Sequence, residues 1–287
     1  AAASCNSFQD ITAIRVEVEY PHVSIASAAV PAIQVVCDDP ETRENARIRV
    51  YQEGATLVVE QKRPSSWLWP WRYARHQATV SITVPQAFSG PIHLATVSGS
   101  IQARQVCSEA LHLSTVSGNI TAQSLRAPRA DIHQVSGGLE LTHCQLDECR
   151  CENVSGKVQI SDVVCQVARI KSVSGRVNLD GQVQQKLKLH LISGSCLIQS
   201  ALCCDMDLSL TSGSCDLLLP PDAQFVLQHC AVSGSVVLGY PALSSGERGN
   251  MRYTVGSGAH TLKCSAVSGN FRVNPHQASA GVAEVEP

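Results

Sequence analysis

The chain has 287 residues, a formal net charge of −2, 44% hydrophobic residues and 16% charged residues. This near-neutral charge excludes a general nucleic-acid-binding protein, which carries a clear excess of basic residues. The hydrophobic content excludes a disordered chain. No stretch of sequence reaches the roughly 18–20 uncharged apolar residues that cross a bilayer as a helix.

The N-terminal third reads as irregular β-structure. Residues 1–8 are expected to form a flexible N-terminus, and residues 9–90 an N-terminal β cap that leads into the rest of the domain. Apolar and polar residues alternate in Ile14–Glu19 and in Leu57–Glu60, and this period of two predicts strands. A further strand is predicted at Thr79–Pro85, directly before the first repeat.

An aromatic and basic segment, Lys62–Tyr73, interrupts this cap and contains all three tryptophans of the chain. Two prolines make a long strand there unfavourable. The candidate binding residues of the segment are Trp67, Trp69, Trp71, Arg72 and Tyr73. Two interpretations stay open: the rings close the end of the core as a plug, or they contact a partner or a membrane surface, as aromatic residues flanked by cations do elsewhere.

A tandem repeat fills the remainder of the chain. Nine Ser-Gly pairs mark the repeat, the first seven at intervals of 19 residues and the last two after 21 and 35 residues. They are Ser98-Gly99, Ser117-Gly118, Ser136-Gly137, Ser155-Gly156, Ser174-Gly175, Ser193-Gly194, Ser212-Gly213, Ser233-Gly234 and Ser268-Gly269. Val precedes seven of the nine, and Ile192 and Thr211 precede the other two. A fixed period of this kind is typical of a stacked repeat architecture.

Aligned on the serine, the residues four and six positions before it and three and five positions after it are almost all apolar. Alternation on both sides of Ser-Gly predicts two short strands per unit with a turn between them. A 19-residue unit of this kind buries its apolar face only against its neighbours. We therefore predict an all-β fold, a single-stranded parallel β-solenoid with about nine 19-residue rungs over residues 91–273, a rod of roughly 40 Å. A hairpin insertion is expected near residues 239–260, and a flexible tail over 274–287.

The Ser-Gly pairs are interpreted as structural turns. The glycine is expected to take a positive φ at a corner where a Cβ would clash, and the serine hydroxyls are expected to form a hydrogen-bonded ladder. A serine nucleophile of the Gly-x-Ser-x-Gly type requires a strand-turn-helix context that the pattern lacks.

These features together resemble a known family. The lead-in Val80–Pro85, the tandem Val-Ser-Gly units, and Gly256-Ser257-Gly258 before the final Val267-Ser268-Gly269 are similar to the bacterial putative-adhesin family, a domain of unknown function with Val-Ser-Gly repeats. The resemblance covers about residues 10–273. It implies the repeated β fold, and for some members an association with the cell envelope.

The chain has thirteen cysteines. Cys149, Cys151, Cys196, Cys215 and Cys264 fall in the predicted inward columns and are interpreted as small buried hydrophobic residues. Disulfides stay open for Cys203, Cys204 and Cys230, which lie at less regular positions. Paired Cys-x2-Cys knuckles for zinc are missing around Cys149 and Cys151, so we expect neither a metal nor a cofactor.

One outward column, five residues before each serine, carries three successive cations: Arg150, Arg169 and Lys188. They are predicted to form either a solvated basic stripe or a binding site for an anionic polymer such as a cell-wall glycan. His93, His112 and Asp131 precede them in the same column, and a shared metal there is the weaker interpretation because the outer two residues lie two rungs apart.

The sequence thus favours a non-catalytic binding or scaffold protein at the cell surface or on the membrane. Its expected partner is a protein, a cell-wall polymer or a membrane surface rather than nucleic acid. Two alternatives stay open: a β-helix polysaccharide-active enzyme, using acids such as Asp205, Asp207 and Asp216, and an intracellular (cytoplasmic) envelope-stress sensor or assembly subunit, which the many core thiols favour.

Overall fold

The structure is a computed structural model, and it describes residues 4–38, 48–61, 78–201, 204–247 and 249–276. Every regular element within these ranges is a β-strand, and eighteen strands join into one sheet. The strands are β1 (Ser4–Phe8), β2 (Ala13–Val18), β3 (His22–Ala28), β4 (Ile33–Asp38), β5 (Ile48–Glu53), β6 (Thr56–Gln61), β7 (Thr79–Pro85), β8 (Ile92–Thr96), β9 (Ile101–Arg104), β10 (Leu111–Ser117), β11 (Ile120–Gln123), β12 (Arg126–Thr142), β13 (Gln145–Gln199), β14 (Asp205–Leu219), β15 (Phe225–Leu238), β16 (Leu243–Glu247), β17 (Asn250–Val255) and β18 (His260–Pro275).

In the repeat region, neighbouring strands run parallel in a register of 19 residues. Leu111 lies beside Ile92 on one side and beside Ala130 on the other, and Ala130 in turn lies beside Cys149. Equivalent residues of successive units therefore form columns. The apolar columns predicted from the sequence are buried; Leu94, Leu113 and Ile132, for example, have no exposed surface.

At the N-terminal end, the order of strands in space departs from their order in the chain. β2 and β3 pair in parallel with β8 and β9, with Ile14 beside Ile92 and Val23 beside Ile101. On their other side, β2 and β3 pair in parallel with β6 and β7. The predicted strand Thr79–Pro85 is therefore separated from the first repeat unit by β3. Three antiparallel pairings extend this end: β5 pairs with β6, β4 pairs with β7, and β1 pairs with β4.

The C-terminal end has the same kind of displacement. β18 carries the last Ser-Gly pair, and it lies between β14 and β15: Ser268 is beside Ser212 on one side and beside Ser233 on the other. β17 pairs antiparallel with β15 and with β16. The last unit in sequence is thus not the last in space.

Glycine in each turn is required by the stacking. A Cβ built on Gly156, whose φ is +125°, would lie 2.0 Å from the carbonyl oxygen of Gly137 in the preceding unit. The predicted positive φ is found at six of the nine turn glycines, from Gly137 to Gly234; Gly99, Gly118 and Gly269 are the exceptions. The turn serines are hydrogen-bonded from unit to unit, because Ser155 Oγ donates to the carbonyl of Val135 and Ser174 Oγ to that of Val154.

A second corner, seven residues after the serine, was not predicted. Gln105, Ser124, His143 and Asp162 occupy it in successive units, all with φ between +53° and +56°. Asn and Asp tolerate this left-handed conformation, and Gln and Ser do so less readily. The residue types at this position therefore do not by themselves predict a corner. The corner turns each unit toward a third inward side, which begins at Val106, Leu125, Cys144 and Val163.

Candidate binding face

The outward surface just before each turn carries an aliphatic stripe. Its members are Val97, Val116, Val135, Val154, Val173 and Ile192, and each is between 41% and 46% exposed. They are the first residues of the Val-Ser-Gly turns, stacked in successive units. Isolated exposed valines are ordinary, whereas contiguous exposed apolar patches are typical of interaction surfaces. We call this row the valine stripe.

A polar column runs beside the valine stripe, two residues earlier in each unit. It consists of Ser114, His133, Glu152, Lys171 and His190, and a groove of about 430 Å³ lies between the two rows. Beneath the groove the inward column is polar as well: Thr115, Gln134, Asn153 and Ser172 are buried. Neither row is among the candidate site residues predicted from the sequence, although both form columns in the 19-residue alignment.

Of the three predicted cations, two are neutralised within the sheet. Arg150 donates to Glu152 at 2.7 Å, and Arg169 pairs with Glu148. Lys188 lies beside Asp207 in the next unit. The charge of these two arginines is therefore offset by acids on the two flanking columns, Glu152 and Glu148.

Glu152 is the centre of this charge network. Besides Arg150, its carboxylate lies 3.2 Å from His133 Nδ1 and 3.5 Å from Lys171 Nζ. The hydrogen bond from Arg150 and the neighbouring positive charges lower the pKa of Glu152. A carboxylate held ionised in this way suits charge recognition at a surface, whereas a general acid needs a raised pKa.

Near the N-terminal end of the same face, three histidines lie against one another. The rings of His93 and His112 are parallel, with centroids 4.5 Å apart, and His133 lies 5.3 Å from His112. Burial lowers the pKa of His93 and of His112, and for His112 the neighbouring histidines lower it further. Among the described residues, no group of three or more His, Cys, Asp or Glu side chains is arranged to hold a metal ion.

The cysteines of the inward columns are buried as predicted. Cys196 lies directly beside Cys215, and the sulfurs of Cys149 and Cys151 are 3.6 Å apart. Burial raises the pKa of Cys165 to about 12, so its thiol stays protonated and unreactive at neutral pH. Cys230 is a free thiol, as are the buried cysteines of the inward columns; Cys203 lies outside the described residues.

The acids named for the enzyme alternative lie on both sides of the Ser212-Gly213 turn. Asp205 accepts a hydrogen bond from the backbone N–H of Thr261 at 2.9 Å. Asp216 lies on the far side of the turn from Asp205 and Asp207, beside Leu197, and is 3.5 Å from Arg272. Hydrolysis of a glycosidic bond uses two carboxyl groups that flank one bond, and the position of Asp216 separates it from Asp205 and Asp207.

The aromatic candidates Trp67, Trp69, Trp71, Arg72 and Tyr73 lie outside the described residues. Within the described part of the chain, no helix is long and apolar enough to cross a membrane.

A comparison against known protein families gives a match over most of the chain. The profile of the family described as Toastrack DUF4097 matches residues 11–274. The chain belongs to the Toastrack DUF4097 family. Its resemblance to a domain of unknown function is thereby confirmed for nearly the whole chain, and the family name itself assigns no activity.

Comparison with curated proteins found no match. Among solved structures, similar ones include a putative cell adhesion protein from Clostridium sporogenes (10% identity, TM-score 0.30, covering 96% of this chain and 99% of that one). A putative adhesin from Bacteroides fragilis has 11% identity and a TM-score of 0.43, with 95% and 97% covered. One from Parabacteroides merdae has 10% identity and a TM-score of 0.35, with 96% of each chain covered.

Proposed function

We propose that this Toastrack protein is a non-catalytic binding scaffold. In this proposal residues 91–273 form a parallel β-solenoid of about nine coils, and the solenoid holds an extended lateral face rigid in front of a partner. The lateral face comprises the valine stripe and the two outward columns that precede it, which contain Glu152 and Arg150. We place its work at the cell surface or on the membrane.

The observation that carries the proposal is the valine stripe. Six aliphatic side chains in one row, each more than two-fifths exposed, are an unfavourable arrangement for a surface that meets only water. Parallel pairing fixes their spacing at about 4.8 Å per coil, so the row is preorganised and little conformational entropy is lost when a partner binds.

A photo-crosslinking amino acid at Val154 tests this function in source cells. We expect a covalent adduct at Val154 and none when the same group replaces Gln102, which is exposed on the other side of the turn. The absence of any adduct at Val154, in protein that folds like the wild type, would overturn the proposal.

The segment Lys62–Tyr73 is a second candidate contact of the same scaffold. Changing Trp67, Trp69 and Trp71 together to Ala is expected to reduce retention on membranes or cell wall. Unchanged retention with an intact fold would exclude this contact, and loss of the fold would instead indicate that the rings plug the core.

A further inference from the structure

The valine stripe and its flanking charges repeat in a nearly symmetric order along the stack. The centre of symmetry lies between the units of Ser155 and Ser174. Going outward from it, Val154 corresponds to Val173 and Val135 to Ile192. Because β18 follows β14 in space, the outermost pair is Val97 and Val267, which is 56% exposed.

From this order we infer that the partner of the lateral face is a second copy of the chain. The two copies are related by a two-fold axis that lies in the face, runs parallel to the strands and passes between the units of Ser155 and Ser174. This rests on the proposed function and assigns its partner. Rotation about such an axis reverses the stack and keeps each column opposite itself, so valine stripe meets valine stripe as in an isologous dimer.

The charges of the lateral face are complementary under the same operation. Glu152 comes opposite Lys171 of the second copy, and Asp131 comes opposite Lys188 of the second copy. The one like-charged pair is Arg150 with Arg169, and each of these arginines already binds a glutamate of its own chain. Opposite charges across an interface fix its register and speed association.

The alternative two-fold, with the axis along the stack, is disfavoured by the same residues. Running through the column of Glu152 and Lys171, that axis would place every unit opposite its own copy, so that Lys171 would face Lys171 and Glu152 would face Glu152. Like charges placed directly opposite one another cost free energy. With the axis parallel to the strands, Ile192 instead lies opposite Val135. Val116 lies opposite Thr211, which is the single pair of the row that joins an apolar residue to a polar one.

Asp131 and Lys188 test the dimer, because within one chain they are too far apart to form an ion pair with each other. They lie three units apart, about 14 Å along the stack, and Asp131 is bound by Arg129 of its own unit at 2.8 Å. We expect the wild type to approach twice the 30.6 kDa chain mass as its concentration rises through the micromolar range in sedimentation equilibrium at low salt. Asp131→Lys and Lys188→Glu should each weaken the dimer about tenfold, since each replaces two attractive pairs by two repulsive ones.

An equimolar mixture of Asp131→Lys and Lys188→Glu is the decisive sample. In the mixed dimer both opposed pairs become attractive again, so the mixture should dimerise as well as the wild type although each variant alone does not. Lys157→Glu, the same charge change on the other side of the turn, is the control and should leave dimerisation unchanged.

A wild type that stays monomeric at 200 μM, or a mixture no better than its components, would overturn the inference. The crosslink at Val154 separates this failure from failure of the proposed function. An adduct of two chains supports the second copy, whereas an adduct with another protein or a glycan excludes it and leaves the scaffold proposal standing.

Discussion

At the scale of single residues, the turn glycines from Gly118 to Gly213 are each required by a backbone carbonyl of the preceding unit. Gly156→Ala would bring a Cβ to 2.0 Å from the carbonyl oxygen of Gly137, at a φ of +125°. Because backbone oxygen leaves no room to move, we expect a loss of about 2–4 kcal/mol in the free energy of unfolding, measured by chemical denaturation.

Gly138 is the matched control, two residues from the turn serine Ser136. A Cβ there would meet only the Asn119 side chain, at 3.4 Å. Gly138→Ala should therefore change stability by well under 1 kcal/mol, and equal losses for the two variants would contradict the stacking argument.

The stacked histidines make stability depend on pH. In the folded chain the pKa values of His93 and His112 lie below their ordinary value of 6.5, chiefly because of burial. Nearby Glu17 opposes the shift for His93, and Asp131 opposes it for His112. The unfolded chain therefore takes up protons at a higher pH than the folded chain, and stability falls as pH drops below 6.5.

Replacing both with glutamine should flatten this part of the pH profile. We expect the difference in Tm between pH 7.5 and pH 5.5 to be smaller in His93→Gln/His112→Gln than in the wild type, by differential scanning calorimetry. His190→Gln, an exposed histidine outside the stack, serves as control; identical profiles for the double variant and the wild type would remove the histidines as the cause.

At the scale of elements, the inward column next to the turn combines polar and apolar residues. It runs from Thr96 and Thr115 through Gln134, Asn153 and Ser172 to Leu191 and Leu210. Neither side-chain polar atom of Asn153 has a hydrogen-bond partner among the described residues. Gln134 differs, because its amide nitrogen donates to the carbonyls of Gly118 and Gly138.

Asn153→Leu should therefore raise the free energy of unfolding by about 1 kcal/mol, since it removes unpaired buried polar atoms. Leu191, two units further along, shows that the column accepts this side chain. Gln134→Leu should lower stability by a similar amount, because it leaves backbone carbonyls without their donor. Destabilisation of Asn153→Leu in a urea titration would contradict this and indicate a bound water on the amide.

At the scale of the whole molecule, β18 holds the C-terminal end together. It supplies the parallel neighbour of both β14 and β15. Deleting residues 258–287 should therefore abolish hydrogen-exchange protection in β15 and β17 as well, while β8 to β12 stay protected. Deleting only residues 277–287 is the control. If β15 keeps its protection without β18, the spatial order described above is wrong.

The regular part of the fold could be predicted from the sequence. The period of 19 residues, the apolar columns and the turn glycines follow from sequence because identical units stacked in register repeat the same steric and burial requirements at every step. The buried cysteine columns and the all-β class were predictable for the same reason.

Where the 19-residue period breaks, only the tertiary structure determines which strands are neighbours. The insertion of β2–β3 and of β18 out of chain order depends on long-range pairing, which leaves no local pattern. The same holds for Arg169, whose partner Glu148 lies in the preceding unit. The valine before each turn was read as part of the corner, and its exposure in one continuous row became visible only once the direction of each side chain was fixed by the strand around it.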